Sequence, residues 1–125
     1  MDRRKDAALL LARLLIGALF AAGAAQKALD PGPAAALLTG RALPGALVWP
    51  ALAFNALAAA SLWTGIGTRP TALALAAYCA ATSAFHLIPD DPWQMSIFVK
   101  NWAIAGGCLA LWAAGPGRWR LGRRG

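Results

Sequence analysis

Four long apolar runs, separated by short polar segments, dominate the hydropathy pattern of the chain. They lie at about residues 7–26, 44–66, 70–88 and 97–114. Because a bilayer core of about 30 Å needs about 20 apolar helical residues, each run is long enough to cross a membrane once. The pattern predicts an all-α fold: one membrane domain over residues 1–125, built as a bundle of four transmembrane helices, with basic tails at 1–6 and 115–125.

The first apolar run allows a second interpretation, a signal peptide. The basic residues Arg3, Arg4 and Lys5 followed by an apolar run resemble a signal peptide. Arg13 interrupts that run, which is also long for a signal, so a retained span is predicted.

A soluble four-helix bundle is the alternative to a membrane domain, and it would need a polar stripe along each helix. The stretch ALAFNALAAASLW in the second run has almost none, which favours the membrane.

Charge predicts the orientation of the bundle. The chain has 12 Lys and Arg against 5 Asp and Glu, a net charge of +7. Four spans place both termini and the 66–70 turn on one side, with nine of the basic residues if Arg13 is included. The opposite side has Lys27, Arg41 and Lys100. Basic residues favour the cytoplasmic side, so both termini are predicted to be cytoplasmic, in a cell membrane of the bacterial inner-membrane type. The basic charge then needs no nucleic acid partner.

Tryptophan positions agree with four spans. Trp49, Trp93 and Trp102 fall near the predicted outer boundary. The other three, Trp63, Trp112 and Trp119, fall near the inner one. Tryptophan is enriched at both interfaces of membrane proteins. The mean hydropathy of +0.54 further supports the lipid bilayer as the surroundings of this chain.

Polar residues inside the spans are candidate sites, because they are costly in lipid. Asn55 in the second span could bind a ligand such as a quinone, or make an interhelical hydrogen bond worth about 0.6–2 kcal/mol; the hydrogen bond is favoured. Arg13, about two turns inside the first span, can extend back to the cytoplasmic face. Lys27, at the outer end of that span, either extends to lipid headgroups or contributes to a site.

The loop FHLIPDDPWQMSIFVKNW, residues 85–102, is the most polar internal stretch. It places His86, Gln94, Lys100 and Asn101 at the membrane level of Lys27, a candidate outer-face ligand or quinone site. The only histidine could relay a proton or simply bond to the loop. One histidine cannot build a zinc or haem site alone. No metal site is therefore predicted, and Asp90 and Asp91 are interpreted as solvated acids.

Reactive motifs are absent from the sequence. There is no phosphate loop, nucleophile elbow or HExxH, so no catalytic residue is predicted. Cys79 and Cys108 lack the CxxC spacing of a redox or zinc motif. Both are expected to be small buried residues, at similar depth on the third and fourth spans.

These residues together resemble the DoxX family of small four-span membrane proteins, over residues 12–114. The first span, ARLLIGALFAAGAAQKALDP, is similar to the opening pattern of that family, and WTGIGTRP is similar to its Gly-x-x-Thr-Arg turn. The stretch from His86 to Gly107 resembles its third-span His, loop Gln and Lys-Asn opening of the fourth span. The matching positions are Arg13, Gly17, Phe20, Gly23, Lys27, Asp30, Gly65, Thr68, Arg69, His86, Gln94, Lys100, Asn101, Gly106 and Gly107.

One position departs from the family pattern. The family commonly has a Glu fourteen residues before the turn Arg, followed by paired glycines. Here these places hold Asn55, Ala58 and Ala59. An intramembrane carboxylate that could carry a proton is therefore missing at this place.

The resemblance implies an integral membrane protein, often found beside redox partners. The first hypothesis is an accessory or structural subunit of a larger membrane complex, with other membrane subunits as partners. The alternative is a quinone-linked oxidoreductase subunit with its site at the outer face and a quinone as its cofactor. A small-solute carrier is disfavoured, because one uncharged polar residue near midplane, Asn55, makes a poor transport path and no inverted repeat is visible.

Overall fold

Five α-helices and two short 3-10 segments account for most of residues 2–121, the part of the chain that the computed structural model describes. Their bounds are α1 Arg3–Leu29, α2 Gly32–Thr39, a 3-10 segment Gly45–Leu47, α3 Val48–Thr64, α4 Thr68–Thr82, a 3-10 segment Ser83–His86 and α5 Pro92–Ala114. Residues 2–121 contain no β-strand. The predicted all-α class is confirmed.

Two of the helices, α1 and α5, begin earlier than the hydropathy pattern indicated, and an aspartate precedes each of them. Asp2 precedes α1, and its Oδ1 accepts a hydrogen bond from the Arg4 backbone N–H at 2.8 Å. Asp91 precedes α5 and accepts from the backbone N–H groups of Trp93 and Gln94 at 3.0 and 3.2 Å. Aspartate is a favoured N-cap because it satisfies N–H groups left free in the first turn. Asp91 is therefore a helix cap rather than only a solvated acid.

The third predicted span is interrupted. The α-helix α4 has 15 residues, and the four residues from Ser83 to His86 continue it as a tighter 3-10 turn. Among the described residues, three segments are long and apolar enough to cross a membrane as regular helices: Arg3–Leu29, Gly45–Thr64 and Pro92–Ala114. The short helix α2, which the sequence did not predict, lies in the connection between the first two of these.

The helices pack as two antiparallel pairs. The first pair is α1 with α3, and the second is α4 with α5. A tight turn joins the pairs, and Gly65 and Gly67 in it have φ angles of +83° and +69°. Only glycine adopts such angles without strain. Ser61 Oγ closes the turn by donating to the Ile66 carbonyl at 2.6 Å.

Small residues form much of the core and let the helices approach closely, as is common in membrane bundles. The buried cluster holds Phe20, Ala58, Ala59, Leu62, Ala72, Leu75, Ala76, Cys79, Ala105, Cys108 and Leu111. The two cysteines are buried with free thiols, as expected from the sequence. At Gly17 a Cβ atom would lie 2.6 Å from Trp63 Nε1, so α1 and α3 touch there through the glycine.

The outer surface of the helices is apolar. Only 17% of the apolar window in α1, 28% of that in α3 and 17% of that in α5 is buried inside the bundle. All six tryptophans are between 44% and 68% exposed. A soluble bundle would instead place its apolar stripe in the core. This distribution fits lipid around the helices and disfavours the soluble alternative.

Candidate functional site

The last turn of α1 and the middle of α3 meet in a polar contact inside the bundle. Lys27 Nζ donates a hydrogen bond to Asn55 Oδ1 at 2.8 Å. Gly23, one turn before Lys27, lies beside this contact: a Cβ there would be in ordinary contact with both groups, 3.5 Å from Asn55 Oδ1 and 3.7 Å from Lys27 Nζ. The interhelical hydrogen bond predicted for Asn55 is confirmed, and its partner is Lys27.

Helix geometry explains why Lys27 turns inward. Side chains on an α-helix lean toward its N-terminus. Because Lys27 lies at the C-terminal end of α1, this lean directs its side chain toward the middle of the bundle rather than out to the membrane surface. The ammonium then reaches Asn55, and Lys27 is only partly exposed.

The amide Nδ2 of Asn55 has only a weak partner. Asn55 is 1% exposed, and within residues 2–121 its Nδ2 makes no hydrogen bond of normal length. The Tyr78 side chain of α4 interacts with it through a longer, weaker hydrogen bond, and the Tyr78 ring packs against Phe54 at 4.9 Å and Phe20 at 6.2 Å between centroids. Lys27, Asn55 and Tyr78 form the central polar cluster. They supply an ammonium, an amide and a phenol, all able to donate to an oxygen acceptor.

The central polar cluster contains no acid. Within residues 2–121, Lys27 forms no salt bridge, and its hydrogen-bond partner is the neutral amide of Asn55. A carboxylate or other proton acceptor would be needed for a proton-transfer pair. The arrangement can therefore hold a ligand oxygen or fix two helices together.

The outer-loop residues are brought together only in part. His86 Nδ1 and Gln94 Oε1 lie 2.7 Å apart, which ties the 3-10 segment to the first turn of α5. Lys100 Nζ lies 5.8 Å from the centroid of the Trp93 ring, a cation–π distance. Asn101 is partly buried. Among the described residues, no hydrogen bond joins Lys27 to this group, so the five residues do not form one hydrogen-bonded set.

The loop before α3 also closes onto this end of the bundle. The Arg41 guanidinium donates to the Ala84 carbonyl in the 3-10 segment. Arg41 follows the short helix α2 and was not among the candidate residues. Only the unpredicted α2 brings it near, so the spacing of the predicted spans could not have shown this contact.

Arg13 lies at the opposite end of the bundle and is fully buried, at 0% exposure. Its Nη1 donates to the Leu62 carbonyl at 3.1 Å, and its Nη2 donates to the Trp119 carbonyl. The prediction that Arg13 extends to the membrane face is wrong. The guanidinium instead satisfies a carbonyl in the last turn of α3, which has no partner within its own helix, and one in the chain after α5.

Residues 115–121, the C-terminal segment, cross this end of the bundle. Asp6 is 7% exposed, and its Oδ1 accepts from the Arg118 backbone N–H at 3.0 Å. The Leu121 backbone N–H donates to the Thr64 carbonyl at 2.7 Å. The segment is thus attached to α1 and to the end of α3. Sequence reasoning missed Asp6, because an acid in a first helical turn usually faces solvent and complements the helix dipole.

A comparison with protein-family models identifies the relatives of this chain. The model described as DoxX matches residues 8–87, more than half of the chain. The chain belongs to the DoxX family. The matched region includes Arg13, Lys27, Asn55 and His86, so the resemblance drawn from these residues is confirmed. With its lipid-facing apolar helices, this DoxX protein is an integral membrane protein.

The match ends before α5. Gln94, Lys100 and Asn101 lie beyond it, so their correspondence to the family pattern stays a prediction. No curated protein and no solved structure matches the chain significantly. The role of the DoxX protein must therefore be argued from its own geometry.

Proposed function

We propose that the DoxX protein crosses the membrane four times. The helix α4 has 15 residues and its 3-10 continuation has 4. At 1.5 Å per α-helical residue and 2.0 Å per 3-10 residue, they extend for about 30 Å, the thickness of a bilayer core. The C-terminal segment also touches Asp6 near the start of α1. Two chain ends on one side require an even number of crossings.

The excess of basic residues at this shared end supports a cytoplasmic location for both termini, in a membrane of the bacterial inner-membrane type. Single cysteines can test this, in a background with Cys79→Ala and Cys108→Ala. Asp90 and Leu121 are exposed and lie at opposite ends. We expect a membrane-impermeant maleimide to label Asp90→Cys in intact cells and Leu121→Cys only after permeabilisation. Labelling of both from outside would mean a different number of crossings or a different orientation.

We propose that the DoxX protein acts as an accessory, structural subunit of a larger membrane complex with redox function. The observation that carries this proposal is the use of its interior polar groups. Lys27 bonds Asn55 across α1 and α3, and Arg13 bonds α3 and the C-terminal segment. These groups hold the helices in place and do not surround a common reactive centre, as a scaffold subunit requires.

A groove on the lipid-facing side of the DoxX protein suits a transmembrane helix of another subunit. It lies between α1 and α5, has a volume of about 350 Å³ and is lined by Leu15, Ile16, Leu19, Ala103, Ile104 and Gly107. Gly107 leaves space on α5, since a Cβ there would meet only Ile16 Cδ1 at 4.0 Å. Small residues at such positions permit close helix contact.

A quinone-linked redox subunit is the second candidate, and one observation favours it. The buried Asn55 Nδ2 makes no hydrogen bond of normal length within the described residues, and a fully unsatisfied buried donor would cost about 1–3 kcal/mol. A quinone carbonyl oxygen could accept from it beside Lys27 and Tyr78. Lys27 is also a member of the outer-face group with His86, Gln94, Lys100 and Asn101, which remains the alternative position for such a site.

Gentle purification followed by native mass spectrometry separates the two candidates. We expect another membrane protein to co-elute with the wild type. Gly107→Leu, which fills the groove, should reduce that partner at least about tenfold, because partner helices pack closely only against small residues. Gly106→Leu is the matched control, because a Cβ at Gly106 meets no atom within 4 Å. A protein that elutes without a partner and retains a quinone would contradict the accessory role and support the redox candidate.

A further inference from the structure

A pocket of about 380 Å³ lies where the C-terminal segment crosses the start of α1. Arg3, Asp6, Arg118 and Trp119 line it. Arg3 and Arg118 are exposed, whereas Asp6 is buried. None of these four residues has a part in the central polar cluster or in the groove between α1 and α5.

We propose that this pocket binds the phosphate group of an anionic phospholipid. Two guanidinium groups face one carboxylate, so the lining carries an excess of positive charge. The Asp6 carboxylate is also occupied, because its Oδ1 accepts from the Arg118 backbone N–H at 3.0 Å. That bond leaves the Arg118 side chain available. Guanidinium groups suit phosphate oxygens because their planar N–H forks can make two parallel hydrogen bonds.

The position of the pocket indicates a lipid phosphate. The lining residue Trp119 is 47% exposed, and tryptophan concentrates at the headgroup level of membranes. The apolar run of α1 begins directly after Asp6, so acyl chains would lie beside it while the phosphate occupies the pocket. Basic pockets beside transmembrane helices bind anionic headgroups in this way.

A bound phosphate would also connect two parts of the chain. Arg3 belongs to α1 and Arg118 to the C-terminal segment. A group that binds both stabilises the arrangement in which Asp6 and Arg13 bond that segment. Ligands that bind only the folded state raise its stability by mass action. The lipid should therefore raise the thermal midpoint as well as co-purify.

Three substitutions test the site in the full-length protein. Arg118→Ala removes one guanidinium but keeps the backbone N–H that bonds Asp6. Asp6→Asn removes the negative charge but keeps an oxygen that can accept from that N–H. Lys100→Ala is the control, because it removes one positive charge at the other end of the bundle, where Lys100 lies near Trp93.

Phosphatidylglycerol is the probe, added to delipidated protein in detergent, and the readouts are lipid adducts in native mass spectrometry and the shift in thermal midpoint. We expect Arg118→Ala to weaken binding at least about fivefold and Asp6→Asn to strengthen it, since single charge contacts near a surface are worth about 1 kcal/mol. Lys100→Ala should bind like the wild type. Phosphatidylcholine should produce no comparable shift.

Equal loss in Arg118→Ala and Lys100→Ala would overturn the proposal, because it would show attraction to net charge alone. Weaker binding in Asp6→Asn would also contradict it. Inorganic phosphate is the second arm of the experiment. Displacement of phosphatidylglycerol by millimolar phosphate would assign the pocket to a free anion and reject the lipid; we expect the lipid to remain bound.

Discussion

Replacing Arg13 by methionine should lower the stability of the detergent-solubilised protein by about 3 kcal/mol, because a hydrogen bond from a charged group contributes about 1.5–3 kcal/mol. Arg13 makes two of them, to the Leu62 and Trp119 carbonyls, from a fully buried position. Methionine fills part of the volume but donates nothing. The Leu62 carbonyl and the C-terminal segment then both lose a partner.

Two measurements check this expectation. The thermal midpoint should fall, and trypsin should cut after Arg118 faster than in the wild type, because Trp119 is no longer held. Arg4→Met is the matched control: it removes the same charge from the same helix at an exposed position. The thermal midpoint of Arg13→Lys should lie between those of Arg13→Met and Arg4→Met, since one ammonium has no planar fork to reach two carbonyls. An unchanged midpoint and cleavage rate in Arg13→Met would mean that other contacts hold the segment.

A double-mutant cycle on Lys27 and Asn55 should reveal a coupling of about 1–2 kcal/mol, the range measured for strong interhelical hydrogen bonds in membrane proteins. Asn55→Leu removes the oxygen that the Lys27 ammonium bonds at 2.8 Å. Lys27→Met removes the ammonium and leaves the Asn55 amide without any hydrogen bond of normal length, since its Nδ2 makes none within the described residues. The double variant should be more stable than the sum of the two losses predicts.

Asn55→Asp should not lower stability, in contrast to Asn55→Leu and Lys27→Met. It places a carboxylate beside the ammonium and eliminates the unpaired Nδ2, so the variant should be at least as stable as the wild type. The measurement is the thermal midpoint, in one detergent, of the four proteins of the cycle, of Asn55→Asp and of one control. Lys100→Met is the control, because that lysine lies on the protein surface. Strictly additive losses in the cycle would show that the Lys27–Asn55 contact contributes nothing to stability.

The sequence predicted the all-helical class correctly, because long apolar runs have few alternatives in lipid. It predicted the helix ends less well. Asp91 followed by Pro92 is a helix-start signal, yet hydropathy placed the helix start five residues later, among apolar side chains. The opposite error affected the third span, where an apolar sequence continues past Thr82 although the α-helix ends there.

The polar residues show where sequence reasoning stops. Asn55 was correctly predicted to join helices, but its partner depended on the direction in which Lys27 leans. Arg13 was wrongly placed at the membrane face, because the chain after α5 covers it. Hydropathy contains no information about how a short glycine-containing tail folds back, so neither this cover nor its contact with Asp6 could be derived.

The order of synthesis gives the C-terminal segment a further importance. Asp6 and Arg13 enter the membrane region with the first helix, but their partners at Arg118 and Trp119 are synthesised only after α5. During translation the Asp6 carboxylate and the Arg13 guanidinium therefore lie near the membrane before these hydrogen bonds can form. A chain that ended after α5 would leave Asp6 without its Arg118 partner and Arg13 with the Leu62 carbonyl alone. Burial of these two charged groups therefore depends on the segment that follows α5, and not on the transmembrane helices alone.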